Sequence, residues 1–143
     1  LSVEKDDVLN TILLVDDDDA PRTMLKRLLM GAGYGVKEAS NGKEAALAYA
    51  LHQPDLVITD LIMPDGEGLQ FIMHLRRLEK QYKQPKIIAM TGGRLGGKAN
   101  YLVMARTLGA DYTIEKPFSV EEFLSIVRLA VEAEPALPAK AAA

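Results

Sequence analysis

Asp60 closes the run Leu56-Val57-Ile58-Thr59, and Pro64-Asp65-Gly66 turns the chain shortly afterwards. The run is apolar or β-branched and bounded by turn formers, so it reads as a short buried strand. A second such run, Thr11-Ile12-Leu13-Leu14-Val15, ends in consecutive carboxylates from Asp16 to Asp19. Lys86-Ile87-Ile88-Ala89-Met90 runs into Thr91-Gly92-Gly93, and Tyr112 to Glu115 leads into Lys116-Pro117-Phe118. In open α/β sheets ligands collect just beyond the carboxyl ends of the strands. If these strands are parallel, Asp16, Asp17, Asp60, Thr91 and Lys116 reach one edge together.

Carboxylates crowded in this way repel, and one of them tends to take up a proton. A hard divalent cation removes the conflict. Mg²⁺ prefers oxygen ligands and usually takes one or two carboxylates plus a phosphate. Asp16, Asp17 and Asp60 are therefore the expected metal ligands. Thr91 offers a hydroxyl, Gly92 leaves room for a tetrahedral group, and Lys116 supplies a compact positive charge. The set describes phosphoryl chemistry, in which an Asp carboxylate can attack and form an aspartyl phosphate. The protein's share is then positioning and charge stabilisation. Taken singly, each residue has a plainer reading. Asp60 can open a turn, Asp18 or Asp19 can cap a helix, Thr91 can end a strand, and Lys116 can sit on the surface. Only their joint placement at successive strand ends is specific.

The elements that must carry these residues alternate along the chain. From Ala20 a helix with Pro21 in its first turn and Met24, Leu25, Leu28 and Leu29 at helical spacing runs to Gly31 and Gly33. Either Asp18 or Asp19 suits its N-cap. Tyr34 to Ala39 reads as a strand, and Ser40-Asn41-Gly42 turns into a helix over Lys43 to Gln53. Its expected inner stripe is Ala46, Leu47, Ala50 and Leu51. A third helix, Gly68 to about Tyr82, is expected to bury Leu69, Ile72, Met73, Leu75 and Leu78 and to solvate Arg76, Arg77, Glu79 and Lys80. Lys98 to Leu108 reads as a fourth helix. Ser119 and Glu122 form a capping box for a last one, with Phe123, Leu124, Ile126, Val127 and Ala130 inward. Repeated strand–helix units with near-continuous apolar strands predict an α/β, doubly wound parallel sheet with helices on both faces.

Composition narrows the function classes. At 143 residues the chain suits one domain, and the absence of Cys excludes disulfides and thiolate metal sites. A net charge of −3 with dispersed Lys and Arg offers no basic stripe for nucleic acid. No stretch is long and apolar enough for a membrane span, and no signal peptide is visible, so a cytoplasmic protein is expected. The chain opens on Leu1 rather than Met, as expected of a processed or shortened chain. Residues 1–10 read as a lead-in, 11–133 as the domain, and 134–143 as an Ala/Pro-rich tail or linker.

With those residues in view, the chain resembles the receiver domains of response regulators in two-component signalling. The likeness runs from about Thr11 to Ala133. It rests on ILLVDD, LVITDLIMPDGEGL, IIAMTGG and EKPF, in that order. The resemblance implies a flavodoxin-like five-stranded sheet of order 2-1-3-4-5. It implies phosphorylation of Asp60, with Mg²⁺ (or Mn²⁺) held by Asp16, Asp17, Asp60 and the backbone carbonyl of Ile62. Thr91 is then the switch hydroxyl and Lys116 the phosphate-contacting lysine. The implied partners are a sensor histidine kinase or phosphotransfer protein upstream and a downstream protein or fused output domain. No contact with nucleic acid or membrane is expected of the domain itself. Such a domain catalyses its own phosphorylation and dephosphorylation, and pairing of two copies through the fourth helix and fifth strand is compatible with it.

The sequence departs from the family at two places. The aromatic residue often found three positions before the lysine is Thr113 here, with Tyr112 one earlier. The loop from Gly92 to Lys98 is glycine-rich, but it lacks P-loop spacing and reads as an activation loop. Ile62 and Gly93 lack side chains that could orient a water, so a long-lived acyl phosphate is expected. Two other functions fit parts of the pattern. Asp16-x-Asp18 matches a haloacid-dehalogenase-like Mg²⁺ phosphatase with Asp16 as nucleophile. A receiver-like scaffold that works without phosphorylation matches the fold alone.

Overall fold

Five strands form the centre: β1 (Thr11–Val15), β2 (Gly35–Ala39), β3 (Leu56–Asp60), β4 (Lys86–Gly92) and β5 (Tyr112–Lys116). All neighbours are parallel, in the order β2-β1-β3-β4-β5. The helices between and after them are α1 (Asp19–Gly31), α2 (Gly42–His52), α3 (Glu67–Arg77), α4 (Lys98–Leu108) and α5 (Val120–Glu132). The computed structural model describes residues 10–64, 67–78, 84–92 and 98–133. Most of the expected lead-in, the 134–143 tail, Asp65-Gly66, Glu79, Lys80 and the glycine loop 93–97 lie outside the described residues.

Alternation along the strands sends side chains to two cores. Ile12, Leu14, Ile58, Ile88 and Met90 pack with Leu25 and Leu29 of α1 and with Phe123 and Val127 of α5. Leu13, Val15, Val57, Ile87 and Ala89 pack with Ala45 of α2, Phe71, Ile72 and Leu75 of α3, and Ala105 of α4. Each fully buried aliphatic side chain stabilises the fold by roughly 1.5–3 kcal/mol. Every residue of β3 is buried, as expected of a central strand covered on both faces.

The doubly wound fold and its strand order are as expected, but several helix faces are not. In α1 Leu25 and Leu29 are buried and Leu28 packs beside them, while Met24 is 55% exposed. In α2 the expected stripe is on the wrong side. Leu47 and Leu51 are 66% and 77% exposed, and Ala45 is buried with Ala48 and Tyr49 packed beside it. Alanines and leucines surround this helix, so spacing alone cannot fix its rotation. The contacts at its start do: Asn41 Oδ1 accepts the Glu44 N–H at 2.8 Å, and Glu67 Oε1 accepts the Gly42 N–H at 2.9 Å. In α3 Phe71 joins the buried face, and Met73 is only half-buried.

Arg76 is a second correction, because it is bonded rather than solvated. Its guanidinium donates to the carbonyls of Gly109 (3.0 and 2.8 Å) and Pro85 (3.0 Å) and pairs with Asp111 at 2.9 Å. Gly109 sits at φ +123°, and a Cβ there would lie 2.6 Å from the Arg76 side chain. The capping box of α5 is formed by Ser119 and Glu122. Asp18 occupies the N-cap position of α1 without a side-chain cap bond.

Candidate functional site

Asp16 follows β1 directly, and its N–H continues the ladder to the Ala39 carbonyl at 3.2 Å. The sheet hydrogen bond fixes where its side chain emerges. Asp16 Oδ1 accepts the Asp18 N–H at 3.0 Å, and the Asp16 carbonyl accepts from Arg22 at 2.7 Å. Asp16 Oδ2 is buried and has no hydrogen-bond partner among the described residues. Asp60, the last residue of β3, lies opposite Met90, and the Leu61 N–H bonds to the Met90 carbonyl at 2.8 Å. Asp60 Oδ1 accepts the Ile62 N–H at 3.0 Å, and Oδ2 accepts Lys116 Nζ at 2.9 Å. Lys116 ends β5 opposite Gly92. Its Nζ stands 3.6 Å from Asp16 Oδ2.

One oxygen from each of Asp16, Asp17 and Asp60 lies within 4.8 Å of the others. They line an open cleft of about 720 Å³ together with Ile62, Gly92 and Lys116, while Asp18 and Asp19 complete its wall. Burial pushes the Asp16 carboxyl up from its ordinary value. The Asp18 N–H and the charge of Lys116 oppose that rise, and the charges of Asp60 and Asp17 add to it. Burial by itself would lower the Lys116 ammonium, but the hydrogen bond and charge of Asp60, with the charge of Asp16, hold it above the ordinary lysine value. A buried carboxylate oxygen without a donor is costly. An all-oxygen donor set with one such orphan fits a hard divalent cation.

The structure thus brings Asp16, Asp17, Asp60, Ile62 and Lys116 to one cleft. The Ile62 N–H is committed to Asp60. Thr91 is set differently. It is fully buried within β4, one residue beyond the partner of Asp60, and its hydroxyl lies 3.5 Å from the Gly92 carbonyl. Thr113 faces Ala89 across the β4–β5 ladder, and Tyr112 packs on the α1–α5 side of the sheet.

Two residues that shape the site escaped the sequence reading. A Cβ on Gly68 would collide with the backbone of Asp60 and come 2.6 Å from the Leu61 carbonyl, so α3 can sit on the Asp60 loop only with glycine there. Arg22 ties the Asp16 carbonyl to Asp19 Oδ1 at 2.7 Å and to Glu38 Oε1 at 3.1 Å. A glycine at a helix start and a cation in the first turn after four carboxylates were the available signals.

A parallel sheet of this order is the flavodoxin-like architecture, here with an acidic cleft and a lysine at its carboxyl edge. The family model of the response regulator receiver domain matches residues 12–128, and the chain belongs to that family. It is 32% identical over 123 residues to the KDP operon transcriptional regulatory protein KdpE of Escherichia coli, covering 86% of this chain and 52% of that protein. It is also 32% identical over 117 residues to the chemotaxis protein CheY of Bacillus subtilis, covering 81% of this chain and 92% of CheY. Against the DNA-binding regulator NtrC of Azospirillum brasilense, the 35% identity spans 92% of this chain and 27% of that protein. The chain therefore spans about half the length, or less, of several of the relatives it matches. Among solved structures, a CheY-like receiver domain protein of Methanospirillum hungatei superposes with a TM-score of 0.77 at 27% identity, covering 87% and 95% of the two chains. A chemotaxis response regulator of Vibrio cholerae gives 0.75 at 28% identity, covering 86% and 99%. Among the described residues no helix is long and apolar enough to cross a membrane.

Proposed function

We propose that this receiver domain takes a phosphoryl group from the phosphohistidine of a sensor kinase or phosphotransfer protein onto Asp60, with Mg²⁺, and passes the signal to a downstream protein or an output domain. The observation that carries this reading is the orphaned, buried Asp16 Oδ2, set beside the Lys116–Asp60 pair and within 4.8 Å of oxygens from Asp17 and Asp60. Asp16, Asp17, Asp60 and the Ile62 carbonyl would hold the cation. When bound, it supplies positive charge to the phosphoryl oxygens.

The chain's own groups account for the rest. The Ile62 N–H is fixed by the backbone and holds Asp60 Oδ1 in place. A carboxylate oxygen of Asp60 attacks phosphorus, the N–P bond breaks, and the departing histidine nitrogen keeps its electron pair and takes up a proton. Lys116 Nζ, at the end of a flexible stem, can leave the carboxylate and follow the phosphoryl oxygens. Thr91 lies on the neighbouring strand and is the proposed switch hydroxyl, whose movement toward the new group would shift the population between two conformations. The hydrophobic side chain of Ile62 cannot orient a hydrolytic water, which favours a persistent acyl phosphate. A half-life of only seconds in purified protein would contradict that part.

The deciding experiment is incubation with acetyl phosphate and Mg²⁺, followed by intact-mass measurement. Wild type gains one phosphoryl group and Asp60→Asn gains none. Modification that persists in Asp60→Asn and vanishes in Asp16→Asn would transfer the assignment to the phosphatase reading. No modification of wild type would leave the scaffold reading.

A further inference from the structure

A cation in the first turn of a helix opposes the helix dipole, at a cost of about 0.3–1 kcal/mol. Arg22 nevertheless stands in the first turn of α1, with its side chain only 14% exposed. Its guanidinium reaches the Asp16 carbonyl just beyond β1, Asp19 Oδ1 at the start of its own helix, and Glu38 Oε1 on β2. Glu38 is held from its other oxygen by Lys26 at 2.8 Å. The bonds to the Asp16 carbonyl and to Asp19 join this network to two residues that line the acidic cleft.

We infer that Arg22 is a positioning residue for the cation site, setting the backbone of Asp16 so that Asp16 Oδ2 is delivered to the cleft and holding the Asp19 carboxylate aside. It acts through Asp16 and touches neither cation nor phosphoryl group. The inference rests on the phospho-acceptor reading only in taking the cleft to be a divalent-cation site. Groups that orient metal ligands from behind typically change affinity by about 10–100-fold when removed.

Charge and position predict opposite signs, which makes the role testable. As a charge, Arg22 repels a cation, so Arg22→Met would tighten binding, whereas Glu38→Gln would weaken it slightly. As a positioning residue, Arg22 gives the same sign for both. The measurement is titration of the full chain with Mn²⁺ followed by electron paramagnetic resonance, with Mg²⁺ competition, well below each variant's melting temperature. Arg22→Met is expected to weaken Mn²⁺ binding by about tenfold or more. Glu38→Gln should move in the same direction by less, and the double variant should be no worse than Arg22→Met, because the two act as one unit. Arg22→Lys keeps the charge but cannot span the three acceptors, so it should resemble Arg22→Met. Equal or tighter binding in Arg22→Met, or full recovery in Arg22→Lys, overturns the inference while leaving the phospho-acceptor reading intact. If Arg22→Met does not fold, unchanged binding in Glu38→Gln overturns it. Failure of wild type to bind Mn²⁺ overturns both.

Discussion

Asp16 Oδ2 and Lys116 Nζ stand 3.6 Å apart, close enough to attract and too far to hydrogen-bond. Lys116 is instead committed to Asp60 at 2.9 Å, and the buried Asp16 oxygen is left without a donor. The metal-free fold carries that charge at a cost. Replacing Asp16 by Asn should therefore raise the stability of the metal-free protein, by on the order of 1 kcal/mol, while abolishing tight Mg²⁺ binding. Urea unfolding with and without Mg²⁺ reads both effects. A metal-free Asp16→Asn protein less stable than wild type would defeat this account.

The same oxygen sets a pH dependence. Burial raises the folded-state pKa of Asp16 above 3.8. The folded state then holds the proton more tightly than the unfolded chain. The stabilising contribution is complete below 3.8 and is lost as pH rises through the raised folded value. Cation affinity runs the other way and grows as that proton leaves. Urea midpoints of the metal-free protein across this window should show the decline in wild type and its absence in Asp16→Asn.

Lys116 offsets two carboxylates with one charge. Lys116→Met should lower metal-free stability by about 1 kcal/mol, a modest value because the ammonium is partly exposed. It should also tighten Mg²⁺ binding, since a competing cation has gone. Calorimetric titration gives the affinity, and weaker binding would count against the arrangement. In wild type the stabilisation from Lys116 is whole below 10.5 and disappears as pH climbs through its raised folded value.

Gly68 lets α3 rest on the backbone of Asp60 and Leu61. Gly68→Ala must push the two apart, with an expected loss of about 1–3 kcal/mol and slower phosphorylation by acetyl phosphate. As a control on the corrected rotation of α2, Leu47→Gln and Leu51→Gln should each stay within about 0.5 kcal/mol of wild type. A loss of 2 kcal/mol or more at either would restore them to the core.

The strands were legible because both faces of a parallel sheet are covered, so each strand is a short, nearly unbroken apolar run. The gathering of Asp16, Asp17, Asp60 and Lys116 was legible for a related reason, since strand ends in such a sheet share an edge. Helix rotation was not legible where composition is apolar all round. Leu47 and Leu51 have the right spacing, but the bonds at Asn41 and Gly42 turn the smaller Ala45 inward. Nor were the arginines. Arg22 and Arg76 look like solvated helix positions until the segments beside them are known: Arg76 bonds the carbonyls of Gly109 and Pro85, and Arg22 reaches the Glu38 carboxylate on another strand and the Asp16 carbonyl just ahead of its helix.

Arg76 gathers acceptors at the amino edge of the sheet much as Arg22 does at the carboxyl edge. Each end of the barrel-less stack is thus riveted by one flat, many-pronged head, and a lysine has no such shape. Arg76→Lys should therefore loosen the fold by more than about 1 kcal/mol yet leave Mn²⁺ affinity untouched. The two ends of this molecule can then be weakened independently, one for durability and the other for metal capture.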